Sequence, residues 1–385
     1  MLSSFPSYAI DGDARSISGG EQTRCGRGAL SWPAGLLAIC AGGALLLAGC
    51  TAKTEPRGIE EAFVSRDKVE LVEKLGPHST VAATLEMETR VEIIGRRRRF
   101  VRVRTPAGLE GWTRDSELIT PDVRRQLDQL RRQTDRDPSQ GAVRALGALN
   151  VHLEPYRWSP TIDQLEEEKA AEILRHRLVE RLPSEPQEGK PPPQPEGLDD
   201  WYLVRLAGGR VGWVLTSGVY AAIPVEVAQY AERKRITSYF ALGEVADPQR
   251  GEPKTTWLWT QISRGNQPYD FDLIRVFRWS RSRHAYQTIK IERGLVGYLP
   301  VETYPALETE YGAGTGFSIT VDKSGRRVRR NYVLVNQRVH LVGEEPAQPP
   351  PPLIEFEKKA PAPPPSPNLM ERLFSRWKTD SPNDL

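Results

Sequence analysis

Cysteine is scarce in this chain and confined to its beginning. Among 385 residues there are three cysteines, at Cys25, Cys40 and Cys50. Residues 51–385 therefore contain no thiol, which excludes a disulfide, a thiolate metal site and a cysteine nucleophile within that part of the sequence.

Histidine is also rare, and its spacing is not that of a catalytic or metal site. The five histidines are widely separated and show no HExxH spacing. The sequence has no Gly-X-Ser-X-Gly elbow, phosphate-binding loop or dinucleotide glycine pattern. The run GAGTG at 312–316 lacks the lysine of a phosphate loop, and we predict a flexible loop there. No metal site and no cofactor are expected.

The charge balance is nearly even, with 53 basic and 50 acidic residues and a formal net charge of +3. Such a balance gives no strong attraction to nucleic acid, and none is expected as a partner. Much of the proline lies in two stretches, 183–195 and 346–367. These stretches are interpreted as loops or linkers.

The longest apolar run, GLLAICAGGALLLAGC at 35–50, carries no charge and follows Arg15, Arg24 and Arg27. A basic leader before a short apolar core is typical of a secretory signal. The run is near or below the lower limit of what a helix needs to cross about 30 Å of hydrocarbon.

The end of this run, Leu47-Ala48-Gly49-Cys50, resembles the lipobox of bacterial lipoproteins. The resemblance implies cleavage between Gly49 and Cys50, acylation of the Cys50 thiol, and anchoring of the protein to a membrane. Thr51 is not aspartate, which in a Gram-negative bacterium resembles an outer-membrane sorting context. The alternative is an ordinary soluble secretory protein whose cysteine stands there by chance.

A polar tether is expected at 50–60, followed by a first β domain at 61–120. Short Val- and Ile-rich runs separated by turn residues indicate a small antiparallel sheet or barrel. Thr120 and Pro121 are an N-cap and a first helical residue, so a helical linker is predicted at 121–142.

A second β domain, 143–224, repeats the first. Without a gap, FVRVRTPAGLEGWT at 100–113 matches WYLVRLAGGRVGWV at 201–214 in a valine, an arginine, two glycines and a tryptophan. The second copy is predicted to carry an insertion at 160–195, with a helix at 161–182 and a proline-rich loop after it.

The repeated stretches resemble the distal hairpin and following strand of bacterial SH3-like domains. The resemblance implies a mainly β fold with two SH3-like small barrels that bind peptide or peptidoglycan. Trp112 and Trp213 are then candidate groove residues. A strand tryptophan after glycine is more often a core residue, and we favour that interpretation.

The remainder is predicted to be a third β-rich domain at 225–345, introduced by a short helix near 225–235. The stretch 286–299 has two interpretations, a divergent third copy and a generic hairpin. The tail, 346–385, combines a proline-rich spacer with a short amphipathic helix at 368–378, which we expect to dock on a membrane or a partner.

Four consecutive arginines, Arg96, Arg97, Arg98 and Arg99, stand between two predicted strands. They are a second ligand-binding candidate, because a basic cluster near a membrane attracts anionic groups. The simpler interpretation, a solvated hairpin tip, is favoured.

These features predict a non-catalytic binding or scaffold lipoprotein of the bacterial cell envelope, with peptidoglycan or envelope proteins as partners. If the envelope is Gram-negative, the protein would be anchored in the outer membrane and face the periplasm or the cell surface. One alternative is an envelope hydrolase with its active site in 225–345, involving His284, Asp270 or Asp272. Another is a structural subunit of an envelope assembly, bound through its tail.

Overall fold

The computed structural model describes residues 60–185, 190–191, 193–247 and 251–353. In these residues the chain forms three seven-stranded antiparallel sheets and two α-helices. The predicted mainly β fold is confirmed.

The first sheet is formed by residues 60–119 and has a non-sequential strand order. Its strands are β1 (Glu60–Val64), β2 (Lys68–Val72), β3 (Val81–Glu86), β4 (Arg90–Arg97), β5 (Phe100–Arg104), β6 (Glu110–Arg114) and β7 (Leu118–Ile119). Their order across the sheet is β3-β2-β6-β5-β4-β1-β7. Alternating residues such as Val101 and Val103 are fully buried, because successive side chains of a strand point to opposite faces.

The second sheet has the same strand order as the first. Its strands are β8 (Ala142–Ala145), β9 (Leu149–His152), β10 (Thr161–Leu165), β11 (Ala170–Glu180), β12 (Leu198–Arg205), β13 (Val211–Leu215) and β14 (Val219–Ala221). The order is β10-β9-β13-β12-β11-β8-β14, which is the first order with each strand advanced by seven. The repeat seen in the sequence is therefore a repeat of the fold.

Gly111 and Gly212, at matching positions, have the same structural role in the two copies. A Cβ at Gly111 in β6 would lie 2.7 Å from the Cβ of Leu71 in β2, and one at Gly212 in β13 would lie 2.5 Å from Cγ1 of Val151 in β9. In both sheets the glycine permits close approach of the neighbouring strand. Gly108 and Gly209, in the turns before these strands, share a positive φ near 80°.

The predicted helix after the first sheet is confirmed as α1 (Pro121–Thr134). The Thr120 side chain accepts a hydrogen bond from the backbone N–H of Val123, which caps the helix N-terminus. α1 packs on a core shared by the first two sheets, to which Phe63 and Ile119 also belong. None of the helices in the described part of the chain is both long and apolar enough to span a membrane.

The predicted helix at 161–182 is wrong, since this stretch forms β10 and β11. Its Glu, Ala, Lys and Leu residues favour helix, but pairing of β11 with β8 and β12 outweighs that preference. A register shift between Ile173 and Arg175 leaves the adjacent Ile173 and Leu174 both buried, which hides the strand alternation. The connection unique to the second copy is therefore the β11–β12 loop, not the whole of 160–195.

The third sheet is a meander with sequential strand order. After α2 (Val225–Ala228), where a short helix was predicted, come β15 (Arg235–Val245), β16 (Lys254–Ile262), β17 (Phe271–Ser280), β18 (Ala285–Thr309), β19 (Gly312–Lys323), β20 (Arg326–Val335) and β21 (Arg338–Pro346).

Two predictions for this third region are wrong. Stretch 286–299 lies within the single strand β18, with Gly294 at a register shift, so it is not a third copy of the hairpin. The glycine run 312–316 belongs to β19 instead of a flexible loop. A Cβ at Gly314 would collide with the Leu334 carbonyl of β20, so glycine is needed there.

Polar side chains, one buried and one half-buried, join the second and third sheets. The Gln140 side chain donates to the Val301 carbonyl (3.2 Å) and accepts from the Val301 N–H (2.8 Å), as a neighbouring strand would. The Tyr239 hydroxyl accepts from the Ala142 N–H and donates to the Ala222 carbonyl, each at 3.1 Å. Each group is satisfied, as burial of polar atoms requires.

Candidate functional site

The two tryptophans predicted as groove candidates lie in equivalent strands but differ in burial. Trp213 is 3% exposed and packs with Leu130 of α1 and Leu174 of β11. Trp112 is half-buried in β6, opposite Val72 of β2. The core interpretation is confirmed for Trp213, which also lines a cleft described below.

The four arginines lie at the exposed β4–β5 hairpin tip, as the simpler interpretation predicts. Arg96 pairs with Glu60 (2.7 Å) and Asp115 (2.9 Å), so its charge is already neutralised within the first sheet. The Arg99 guanidinium lies over the Phe100 ring, 5.6 Å from its centroid. Within the described residues, Arg97 and Arg98 have no carboxylate partner.

Several predicted features fall outside the described residues. These are the cleavage site at Gly49 and Cys50, the Cys50 anchor, and the amphipathic helix at 368–378. They stay predictions.

The acids and histidine proposed for a hydrolase are not brought together. His284 is exposed in the β17–β18 turn, at the opposite end of β17 from Asp270 and Asp272. At about 3.3 Å per residue, a ten-residue strand separates them by about 30 Å. Asp272 instead accepts hydrogen bonds from the backbone N–H and hydroxyl of Ser263.

Asp270 belongs to a different, buried cluster centred on His176 of β11. His176 Nδ1 donates to Asp270 Oδ1 at 2.6 Å, and Nε2 donates to Asp200 of β12. The other Asp200 oxygen pairs with Arg235 at the start of β15 (2.7 Å). The other Asp270 oxygen accepts from the Leu299 N–H of β18 (2.6 Å). The cluster thus ties two strands of the second sheet to three elements of the third.

Burial and the neighbouring carboxylates have opposite effects on the pKa of His176. Burial alone would lower the pKa of His176, but its hydrogen bonds to Asp200 and Asp270 outweigh that effect and raise the pKa to about 9. Burial would raise the pKa of Asp200, yet the hydrogen bond from His176 and the charge of Arg235 bring it below its usual value. His176 is therefore an imidazolium at neutral pH, between two carboxylates.

This arrangement suits a structural lock better than proton transfer. With both ring nitrogens protonated and donating to carboxylates, His176 has no lone pair with which to act as a general base. The described residues also contain no group of three or more His, Cys, Asp or Glu side chains placed to hold a metal ion. The buried Tyr202 hydroxyl, next to the cluster, has no hydrogen-bond partner among those residues.

A cleft of about 600 Å³ lies beside this cluster, between the second and third sheets. Leu174 and Trp213 form part of one wall, and Tyr298 and Leu299 part of the other. The chain's own segment 349–353 (PPPPL) also lines it. Arg175 Nη1 donates to the Pro351 carbonyl at 2.8 Å, while the same guanidinium is held by Asp137 at 2.6 and 3.0 Å.

Sequence reasoning missed both the cluster and the cleft. Its one available signal was Asp199-Asp200, two acids next to the apolar run WYLV in a buried strand, because buried acids need partners. Asp199 pairs with Arg157 and Arg181, both at 2.7 Å. The partners lie too far away in sequence to be identified from spacing.

Comparison with known proteins finds only distant similarity. No protein-family model matches the chain, and no curated protein matches it. Among solved structures, NlpC2 from Trichomonas vaginalis is 11% identical, with a TM-score of 0.15 and an alignment covering 74% of this chain and 97% of that one. An NlpC/P60 family protein from Bacillus cereus ATCC 10987 is 11% identical, with a TM-score of 0.17 and coverage of 76% and 95%. At these values the similarity carries no argument about fold or activity.

Proposed function

We propose that this protein is a non-catalytic binding or scaffold lipoprotein of the bacterial cell envelope, anchored through Cys50, which recognises peptidoglycan or envelope proteins through two SH3-like domains. The observation that carries the proposal is the tandem fold. Two sheets with one strand order, each with a Gly-Trp strand after a glycine turn, follow a leader that ends in a lipobox-like sequence.

The chemistry of the buried cluster supports a binding role. Both ring nitrogens of His176 donate hydrogen bonds to carboxylates. Residues 51–385 contain no cysteine that could serve as a nucleophile. Hydrogen bonds of Gln140, Tyr239 and the His176 cluster cross between the second and third sheets, which suits a rigid platform. Exposed groups such as Arg97 and Arg98 remain available to an anionic polymer.

The anchor and the binding role require separate tests. Replacing Cys50 with serine should abolish incorporation of labelled fatty acid and move the protein from the membrane to the soluble fraction. Unchanged membrane fractionation of the C50S protein would refute the anchor.

For binding, the soluble mature chain carrying Cys50→Ser should sediment with isolated cell wall, and excess soluble muropeptide should release it. Sedimentation unaffected by muropeptide, or no sedimentation, would count against peptidoglycan. In that case, repeated capture of one envelope protein by cross-linking in intact cells would support a protein as the binding partner.

A further inference from the structure

The segment after the last strand returns to the second sheet. β21 ends at Pro346, and the Ala347 N–H still donates to the Arg327 carbonyl of β20 (3.1 Å). Four prolines follow, at 349–352, and proline lacks an N–H and has a fixed φ. Such a run favours the extended polyproline conformation, in which backbone carbonyls are free to accept hydrogen bonds.

Two contacts hold this segment in the cleft. Arg175 donates to the Pro351 carbonyl, and the orientation of its guanidinium is fixed beforehand by two hydrogen bonds to Asp137. Two residues later, Leu353 packs against the apolar cluster that contains Leu174 and Trp213. Docking of a preformed polyproline segment in an aromatic-lined groove is a recurring mode of peptide recognition.

The segment nevertheless occupies the cleft only shallowly. All four prolines are exposed and Leu353 is only half-buried. Beside them the cleft retains a volume of about 600 Å³. On its far wall the Arg327 guanidinium stacks on Tyr298, 3.9 Å from the ring centroid. The contacts of 349–353 are therefore few enough for another segment of similar chemistry to replace them.

We propose that this cleft is a recognition site for proline-rich, extended peptide segments of a partner protein that end in an aliphatic residue, and that 349–353 occupies it as an intramolecular competitor. The lining includes Arg175, His176, Arg177 and Arg327 against Asp137 and Asp270, so it is net cationic and disfavours lysine-rich segments. This site does not depend on the lipid anchor or on wall binding.

Competition between segment 349–353 and a free peptide determines the affinity expected for that peptide. A segment tethered by a few residues has an effective concentration in the millimolar range, so it masks the cleft from a free peptide of similar intrinsic affinity. Removing the Leu353 anchor should release the cleft. The affinity for a free peptide should then rise by about tenfold or more.

The test uses the soluble mature chain with Cys50→Ser and a fluorescently labelled peptide, PAQPPPPL, followed by anisotropy. Leu353→Asp should bind the peptide at least about tenfold more tightly than the parent chain. Leu341→Asp is the matched control, because Leu341 is 43% exposed on β21 and should leave the affinity unchanged. A second variant, with 349–353 replaced by Gly and Ser, should behave like Leu353→Asp.

Specificity is tested in the Leu353→Asp chain. The peptide PAQPPPPD should bind weakly. Adding Arg175→Lys should lower the affinity for PAQPPPPL, since the single nitrogen of lysine cannot replace the planar fork that binds both Asp137 oxygens and still donates to the peptide carbonyl. Circular dichroism verifies that each variant is folded. The proposal would be overturned if the parent chain, Leu353→Asp and the Gly/Ser variant all bound PAQPPPPL with equal affinity. It would also be overturned if no folded chain bound the peptide. Because neither wall nor membrane is present, such a failure leaves the proposed envelope function standing.

Discussion

His176 Nδ1 in β11 lies 2.6 Å from Oδ1 of Asp270, the residue before β17. This hydrogen bond joins the second sheet to the third. Since the same imidazole also donates to Asp200 of β12, one protonated ring links two aspartates that lie 94 and 24 residues away from it in sequence. The contact between the two sheets should therefore depend on the protonation of His176.

The first prediction concerns pH. The pKa of His176 is raised from 6.5 to about 9 on folding, so its stabilising effect is complete below pH 6.5 and is lost as the pH rises towards 9. The difference in free energy of unfolding between the parent chain and His176→Gln should shrink by about 3 kcal/mol over this interval. Urea unfolding at several pH values measures this difference.

The control for this experiment is His284→Gln, because His284 is exposed in a turn. It should follow the pH dependence of the parent chain. Titration of the His176 ring by NMR should give a pKa near 9. A parent-to-His176→Gln difference that stays constant from pH 6 to 9 would contradict the lock.

The second prediction is that Asp270→Asn destabilises the chain by roughly 3 kcal/mol, because it removes one of two charges that balance a buried imidazolium. The Leu299 N–H, which donates to Asp270, should exchange with solvent faster. Asp272→Asn is the matched control, since Asp272 accepts its hydrogen bonds from Ser263 in the β16–β17 connection and not from His176 or Leu299. Equal effects of the two substitutions would argue against a special role for Asp270.

The third prediction concerns the repeated glycine. Gly111→Ala and Gly212→Ala should each lower stability by about 1–3 kcal/mol, because the added methyl groups would meet Leu71 and Val151 of the neighbouring strands. Gly76→Ala is the control, since no atom lies within 4 Å of a Cβ there. Thermal unfolding measures all three variants. A marked effect at one glycine and none at the other would show that the two copies do not share this packing.

The fourth prediction separates the arginines of the hairpin tip. Arg97→Ser with Arg98→Ser should weaken sedimentation with phosphatidylglycerol vesicles, by roughly 1 kcal/mol per arginine at low salt, and leave stability unchanged. Arg96→Ala should instead lower stability by less than about 1 kcal/mol, because it loses exposed ion pairs with Glu60 and Asp115.

Arg131→Ser with Arg132→Ser removes the same charge from α1 and serves as the control. Vesicle binding that falls equally in this variant would mean that net charge, and not the tip, is responsible. The soluble mature chain with Cys50→Ser is used throughout, so that the lipid anchor does not contribute.

Local patterns predicted much of the fold. Alternation revealed strands such as β5, and Thr120 with Pro121 marked the start of α1. The match between 100–113 and 201–214 revealed two copies with one strand order. These features succeed because each depends on residues that are neighbours in sequence.

The features that could not be predicted from the sequence depend on contacts between residues that are far apart in the chain. β11 reads as a helix because its residues favour one, and only pairing with β8 and β12 makes it a strand. The glycines of β19 read as a loop because the nearby carbonyl of Leu334 is invisible in the sequence. The His176 cluster draws its members from five separate strands or connections, so no local spacing in the sequence predicts it.

The two copies differ most in the connection after their fourth strand. In the first sheet this is a tight turn of Arg98 and Arg99, whereas in the second the chain runs from Glu180 to Leu198 before pairing resumes. Both connections join strands that remain hydrogen-bonded to each other. The first-copy turn is thus a natural position for an epitope tag or a fluorescent label, and such a tag would report on the protein in living cells without disturbing either core.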